Sequence, residues 1–257
     1  MPGRRHLIVP DTQIKPGVPL EHIDWIAQYV VEKRPDVLIL LGDWADMSSL
    51  SSYDVGTKKF EGQRIAKDLE VANAALARLM TPIDAEISRR VNKHRVRWEL
   101  RKVIVLGNHE DRIDRAVNMD PKLDGLIKMA DLRFAEYGFE VYPFLQPVVI
   151  DGVAYCHYFV SGVMGKPITT ARSLLAKQHM SCVMGHVQVK DIAYGKRGDG
   201  KRLTGIISGV CYLHDETYLN HQTNEVWRGI WMLNEVNDGA FDEMPVSLSF
   251  LREKYGK

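Results

Sequence analysis

Four strand-like apolar runs in this sequence end in residues that bind cations or handle protons. The first leads into Asp11-Thr12-Gln13 and the second into Gly42-Asp43-Trp44-Ala45-Asp46. The third leads into Gly107-Asn108-His109-Glu110, and a later one into Gly185-His186-Val187-Gln188. A fifth candidate, His157, directly follows the run Val153–Cys156. Carboxylates, amides and imidazoles offer mixed oxygen and nitrogen donors, which suit divalent cations. Each piece alone has an ordinary explanation. Asp43 after Gly42 could be a turn, Asn108 could close one through its tolerance of left-handed backbone, and His157 could be a satisfied core histidine. Together, in this order and at strand ends, they point to metal or phosphate chemistry, because loops at one sheet edge converge on a point.

Those residues need strands and helices to position them. Hydrophobic periodicity predicts strands at 6–10, 37–41 and 103–106. A helix is expected at 20–32, and another carries Ile65, Leu69, Ala72, Leu76 and Leu79 on one stripe. The stretch 48–59 reads as a polar surface loop. Thr81-Pro82 reads as N-cap and first residue of a separate helix reaching toward Trp98. The second half is richer in β signals. Asp151-Gly152 turns a hairpin between Val148–Ile150 and Val153–Cys156. A helix at 170–178 precedes a strand at 181–184, and two more hairpins turn at 198–200 and 237–239. Alternating β/α units followed by hairpins imply an α/β fold of two packed sheets with helices outside.

The chain of 257 residues has 34 Lys+Arg against 33 Asp+Glu, so any nucleic-acid footprint must be local. No repeat or low-complexity linker divides it, which favours one domain over 1–257 with a helical insertion at about 60–100. Cys156, Cys182 and Cys211 lie in apolar runs without close spacing, an arrangement expected of a reducing cytoplasm and not of a disulfide framework. Neither a signal peptide nor a membrane span is expected.

The motif series resembles that of the calcineurin-like metallophosphoesterases, whose pattern runs D-x-H, GD-x-x-D, GNH-D/E, a lone His, then GH-x-H. The match covers residues 11–188, and the GD-x-x-D plus GNHE pair is its most specific part. The resemblance implies an αββα sandwich of two mixed sheets around a dinuclear centre that hydrolyses a phosphate ester with a hydroxide activated by two cations. By that resemblance Asp43 would bridge both ions. Asn108, His157 and His186 would complete the second, while Asp11, Gln13 and Gln188 would complete the first. His109 would face the leaving group, oriented by Asp46.

Two histidines of the pattern are replaced, and both belong to the first ion: positions 13 and 188 are Gln. Amide oxygens there imply a weaker, harder site that prefers Mn²⁺ or Mg²⁺, with Zn²⁺ or Fe suited to the nitrogen-rich site. Loss of the first ion is the alternative. Met47-Ser48 also replace the Arg-Gly that follows GD-x-x-D in the phosphatase branch. Arg112 or Arg115 could supply that charge, or could simply lie on a solvated helix face.

Residues 89–102 carry seven basic side chains against one acid, Glu99. Spacing of i, i+4 would align Arg89, Lys93 and Arg97 on one helical face, with Ile87, Val91 and Trp98 buried. Lys196-Arg197 and Lys201-Arg202 could flank the same cleft, and Tyr212, His214, Tyr218 and His221 could overhang it. Such patches could track a phosphate backbone, although a solvated face is the default for each. The leading expectation is a phosphodiesterase or nuclease, its partner a phosphate ester that includes nucleic acid. A phosphomonoesterase and a non-catalytic binding module are the alternatives. Neither a membrane nor a protein partner is evident.

Overall fold

Strands β1 (Arg4–Val9), β2 (Val37–Leu40) and β3 (Arg101–Val105) send alternate side chains to opposite faces of one sheet. Both faces are apolar, which is why these runs read as continuous hydrophobic segments. Ile8, Val37, Ile39, Val103 and Val105 point inward to a second sheet and meet Val153, Tyr155, Val183 and Ile206. Leu7, Val9, Leu38, Leu40 and Ile104 point the other way, under two long helices. These helices are α1 (Glu21–Lys33) and α2 (Ile65–Asn92). The computed structural model describes residues 3–52, 56, 61–93, 96–215 and 226–256.

The first sheet continues through β4 (Glu140–Tyr142) on one side and through β12 (Gly229–Asn237) and β13 (Ala240–Ser247) on the other. Its order is β13-β12-β1-β2-β3-β4, with β1 to β4 parallel and β12 antiparallel to β1. The second sheet has the order β10-β11-β9-β6-β5. Its strands are β5 (Val148–Ile150), β6 (Val153–Cys156), β9 (Cys182–Met184), β10 (Lys190–Lys196) and β11 (Arg202–Ser208). Here β6, β9 and β11 are parallel. A two-stranded hairpin, β7 (Val160–Ser161) with β8 (Lys166–Pro167), stands apart. A short helix, α3 (Arg112–Met119), follows the third motif, and helix α4 (Ala171–Gln178) covers the outer face of the second sheet through Ala171, Leu174 and Leu175, which meet Ala154, Cys156, Cys182 and Met184. The protein is therefore a helix–sheet–sheet–helix sandwich of two mixed sheets.

Several local expectations need correction. Thr81-Pro82 does not start a new helix, because α2 runs unbroken for 28 residues with Pro82 inside it. Proline removes one helical hydrogen bond at a cost of about 3 kcal/mol. The fully buried Leu79, Met80 and Ile83 on either side hold the helix against the core, and burying such side chains contributes about 1.5–3 kcal/mol each. The helix ends at Asn92, well short of Trp98. The C-terminal hairpin β12–β13 joins the first sheet and not the second, and a short helix, α5 (Leu248–Tyr255), follows it. Within the expected loop at 48–59, Ser48–Leu50 form a single 3-10 turn, while 53–55 and 57–60 lie outside the described residues. Among the described residues no helix is long and apolar enough to cross a membrane.

Candidate metal centre

The parallel strands of both sheets point their carboxyl ends to one edge, and the candidate residues follow those ends. The two halves of the edge are joined directly. His186, after β9, donates its backbone N–H to both carboxylate oxygens of Asp11, after β1, at 3.1 Å each. His157, after β6, donates from Nδ1 to the carbonyl of Leu41, after β2, at 2.7 Å. The glycines that precede the ligands are demanded by this crowding. A Cβ at Gly107 would lie 2.1 Å from Asp43 Oδ1, and one at Gly185 would lie 2.3 Å from Asp11 Oδ1.

Glu110 ties two of the loops together. Its Oε1 accepts from the Ala45 N–H at 2.9 Å, and its Oε2 accepts from Asp43 and Gly107 at 2.9 and 2.8 Å. The side chain is wholly buried, so it is a brace for the Asp43 and Asn108 loops and not a reactant. Its part in the GNHE motif gave no hint of that role, because its three partners are backbone groups.

Asp43 lies at the centre. Its Oδ1 accepts from the His109 N–H at 3.0 Å, and its Oδ2 lies 3.3 Å from His157 Nε2 and 3.6 Å from His109 Nε2. Asn108 Oδ1 is 3.0 Å from the same Nε2 of His157. Because Nδ1 of His157 donates to Leu41, its Nε2 is left facing two oxygens that can only accept. Such a pocket calls for a proton or a cation. Ligand atoms of Asp43, His157 and His186 all lie within 4.8 Å of one another. Two imidazole nitrogens and a carboxylate, with the Asn108 amide oxygen beside them, fit a divalent ion. The hydrogen bond from Nδ1 to a carbonyl is the usual support of a ligating histidine.

The buried charges of the cluster perturb one another strongly. Burial pushes the Asp11 carboxyl up to about 7, with the Asp43 charge adding and His157 opposing. Burial would lower His157, yet Asp43 and Asp11 overcome it and raise the imidazole to about 10. His186 is pushed down to about 4, first by burial and then by His157. Asp43 stays well below the usual carboxylate range despite burial, because His109 and His157 face it. Backbone strain gathers here too. Gln13, Asp43, Met47 and His186 all have positive φ, at a cost of about 1–3 kcal/mol each.

Beside the ion cluster stands a second unit. His109 Nδ1 contacts the carbonyl and Oδ1 of Asp46 at 2.9 and 2.8 Å. Lys15 Nζ lies 3.0 Å from Asp46 Oδ2, and Arg112 donates to the Asp46 carbonyl at 2.7 Å. Burial would raise the Asp46 carboxyl, but His109 and Lys15 hold it low. Lys15 is a site residue that motif reading passed over, since it falls after the first motif and is brought in only by the fold. Gln13 is buried and its N–H donates to the Asp43 carbonyl at 2.8 Å. Gln188 Oε1 accepts from the Tyr212 hydroxyl at 3.0 Å. Tyr212 is thus a buried support, with His214 stacked 4.5 Å from it, while Tyr218 and His221 lie outside the described residues.

The basic tract is elsewhere. The described residues of 89–102 lead into the amino end of β3, at the sheet edge opposite the candidate metal cluster. Arg89 pairs with Glu86 at 2.6 Å. Lys93 caps α2, and Arg97 lies beyond the helix beside Glu99. The expected helical face of Arg89, Lys93 and Arg97 therefore does not exist as one face, and none of the three lines the metal cleft. Trp98 is buried as expected, but Val91 is 53% exposed; His94 and Arg95 lie outside the described residues. The tip at 196–202 is also remote. Six steps of the β10–β11 ladder, roughly 20 Å, separate it from Lys190 and Ser208, and Arg197, Lys201 and Arg202 pair with Asp199, Asp238 and Glu243 respectively.

A cleft of about 600 Å³ opens directly from Asn108 and His186 and is walled by Arg112, Arg115, Phe144 and Tyr158. No family model matches the chain, and no curated protein matches it. Among solved structures, it is similar to a crystal structure at 9% identity, covering 96% of this chain and 100% of the other with a TM-score of 0.44. It is also similar to YfcE, a phosphoesterase from E. coli, at 12% identity over 95% of this chain and 99% of that one, with a TM-score of 0.37.

Proposed function

We propose that this chain is a metal-dependent hydrolase of phosphate esters, with a small phosphodiester as its preferred substrate. The observation that carries this reading is the convergence of Asp11, Asp43, Asn108, His157 and His186 from both sheets, beside a separate imidazole held by Asp46. Asp43, Asn108, His157 and His186 would hold one divalent ion, and Asp11, Asp43, Gln13 and Gln188 a second, with Mn²⁺ favoured by the two amides. Such ions, when bound, polarise a phosphoryl oxygen and lower the pKa of water.

The chain's own groups do the rest. With Nδ1 of His109 donating to Asp46, Nε2 is the atom that can carry a proton to the leaving-group oxygen. Burial works against that protonated form, but Asp43 and Asp46 outweigh it and raise the imidazole pKa. General acid catalysis of this kind contributes typically about 10²–10⁴-fold. Arg112 lies 3.4 Å from the same Nε2 and fixes Asp46 and the Met47 carbonyl, so it positions the imidazole and adds positive potential at the cleft.

A diester suits this cleft better than a monoester. Arg112 is engaged by Asp46, and Arg115 by Asp111 at 3.0 Å and the Asn108 carbonyl at 2.8 Å. Because both cations are already bonded within the protein, they hold the extra charge of a dianionic monoester less strongly than unengaged arginines would, which reduces the monoester's advantage over a diester. A long polynucleotide would also lack the tract 89–102 as a track, because it lies on the opposite edge.

The test is hydrolysis by apo-protein reloaded with Mn²⁺. Substrates are bis(p-nitrophenyl) phosphate, p-nitrophenyl phosphate, and single-stranded and duplex DNA. The expected order places the small diester first, and Asp43→Asn abolishes turnover with the fold intact by circular dichroism. Preference for the monoester would make the protein a phosphomonoesterase. Mn²⁺ binding without turnover of any ester would make it a binding module.

A further inference from the structure

The aromatic side of the cleft, packed against the candidate ligands His157 and His186, has a composition that phosphate chemistry does not require. The Tyr158 ring lies 4.6 Å from the His186 ring and 5.8 Å from that of His157, centroid to centroid. Phe144 meets Tyr158 edge to face at 5.4 Å. Together they make an aromatic wall that begins at the candidate metal ligands. Leu50 and Met119 also line the cleft, and Met119 is 82% exposed. Among the described residues the Tyr158 hydroxyl makes no hydrogen bond, although its neighbours include Asp111 and Arg115. Both cations of the cleft, Arg112 and Arg115, are held by acceptors of the chain itself.

We infer that this wall is a specificity subsite for a flat ring carried on the phosphate, so that the substrate class is a phosphodiester bearing a nucleobase or an aryl group. This rests on the phosphoester reading of the adjacent ion cluster. Aromatic rings prefer edge-to-face or offset contact with another ring, worth up to about tenfold in affinity beyond the area they bury. A ring seated against Phe144 and Tyr158 gains that contact while its phosphate reaches Asn108 and His186. The cleft's volume of about 600 Å³ suits one phosphate and one such group. The subsite reads the substituent and leaves the charge to the ions.

Binding of non-hydrolysable half-esters tests this without relying on turnover. Calorimetry on the Mn²⁺-loaded protein compares methyl phenylphosphonate with methyl methylphosphonate, two monoanions that differ only in the ring. The phenyl compound is expected to bind about tenfold more tightly. Phe144→Ala is expected to reduce that ratio to within about twofold. Phe144→Leu, which keeps apolar bulk at the core edge, lowers it to an intermediate value and covers the case in which the alanine variant unfolds. Tyr158→Phe keeps the ratio, since the ring remains. Thymidine 5′-methylphosphonate separates the two sources of the ring: tighter binding than the phenyl compound assigns a nucleoside, weaker binding an aryl group. Equal affinity for the phenyl and methyl compounds, or a ratio that survives both Phe144 variants, would overturn the subsite while leaving the phosphate site standing. Binding of neither would remove the phosphoester reading beneath it.

Discussion

Two buried histidines, one at each edge of the sandwich, sit beside aspartates and yet face opposite demands. At the amino edge, His6 of β1 has a complete set of partners. Its Nδ1 lies 2.7 Å from the Tyr155 hydroxyl of the second sheet, and its Nε2 lies 2.8 Å from Asp151 Oδ2 in the β5–β6 turn. One partner donates and the other accepts, so a neutral ring satisfies both, and burial keeps its pKa below the ordinary value. At the carboxyl edge, His157 is equally buried, but its Nε2 meets only the acceptors Asn108 and Asp43. The first network is closed and pins the sheets together. The second requires positive charge at Nε2, from a proton or a cation, and that demand marks it as the candidate binding centre.

The sharpest way to break this contrast is at His109, the proposed general acid of the carboxyl edge. His109→Ala should lower kcat by roughly 10²-fold or more with metal content preserved, because only the proton at Nε2 is lost. The deficit should shrink for nitrophenyl esters, whose leaving group needs little protonation. An equal deficit with alkyl and nitrophenyl diesters would remove His109 as general acid.

The closed network should respond in stability instead. His6→Ala leaves the buried Tyr155 hydroxyl without its partner and should cost about 2–4 kcal/mol in denaturant unfolding, with turnover per folded molecule kept. Its pH dependence has a definite sign. The folded-state pKa of His6 is below 6.5, so as pH falls through about 6.5 the unfolded chain takes a proton that the folded state refuses. The His6 contribution is therefore fully present above that pH and is lost as pH falls. Wild type should lose stability between neutral and mildly acidic pH more steeply than His6→Ala; parallel curves would rule out the neutral, closed network.

How much of this was readable in the sequence follows from how local each signal is. Asp11, Asp43, Asn108, His157 and His186 were legible because each lies within three residues of the end of an apolar strand, and parallel strands must send their ends to one edge. The sandwich was legible because Leu7 and Ile8, or Leu38 and Ile39, are apolar on both faces. Lys15, Glu110 and the His6–Tyr155–Asp151 network were not, since their partners are backbone groups or side chains far along the chain. Pro82 misled because a local breaker is outweighed by the packing of Leu79, Met80 and Ile83. The tract 89–102 misled because charge spacing says nothing of which sheet edge a segment occupies.

A smaller effect is expected from the amide positions. Converting Gln13 and Gln188 to His should tighten a weaker second ion and shift its preference from Mn²⁺ toward Zn²⁺, leaving the ion at Asn108, His157 and His186 little changed. Tyr212 complicates the comparison usefully. Its hydroxyl already engages Gln188 Oε1, so Tyr212→Phe should alter the weaker ion alone. The two glutamine variants need not add, because they would share one ion. A single strong ion in calorimetry at millimolar Mn²⁺, unchanged by the double His variant, would remove the second site.

The smallest effect should come from the edge that the metal cleft does not use. Reversing Arg89, Lys93 and Arg97 to Glu replaces three positive charges, yet Arg89 pairs with Glu86 and Arg97 lies beside Glu99 on exposed surface. Beyond a Debye length of about 8 Å at physiological salt the field of such surface charges is largely screened. Hydrolysis of a small diester should therefore change by less than about twofold, with KM and kcat both preserved. DNA binding gives the discriminating readout. If a polynucleotide reached from the cleft to the far edge, the triple variant would flatten the dependence of affinity on salt by up to about 0.9 in log–log slope for each phosphate no longer neutralised. An unchanged slope is expected, because these residues precede the start of β3 and the candidate metal site lies where β3 ends.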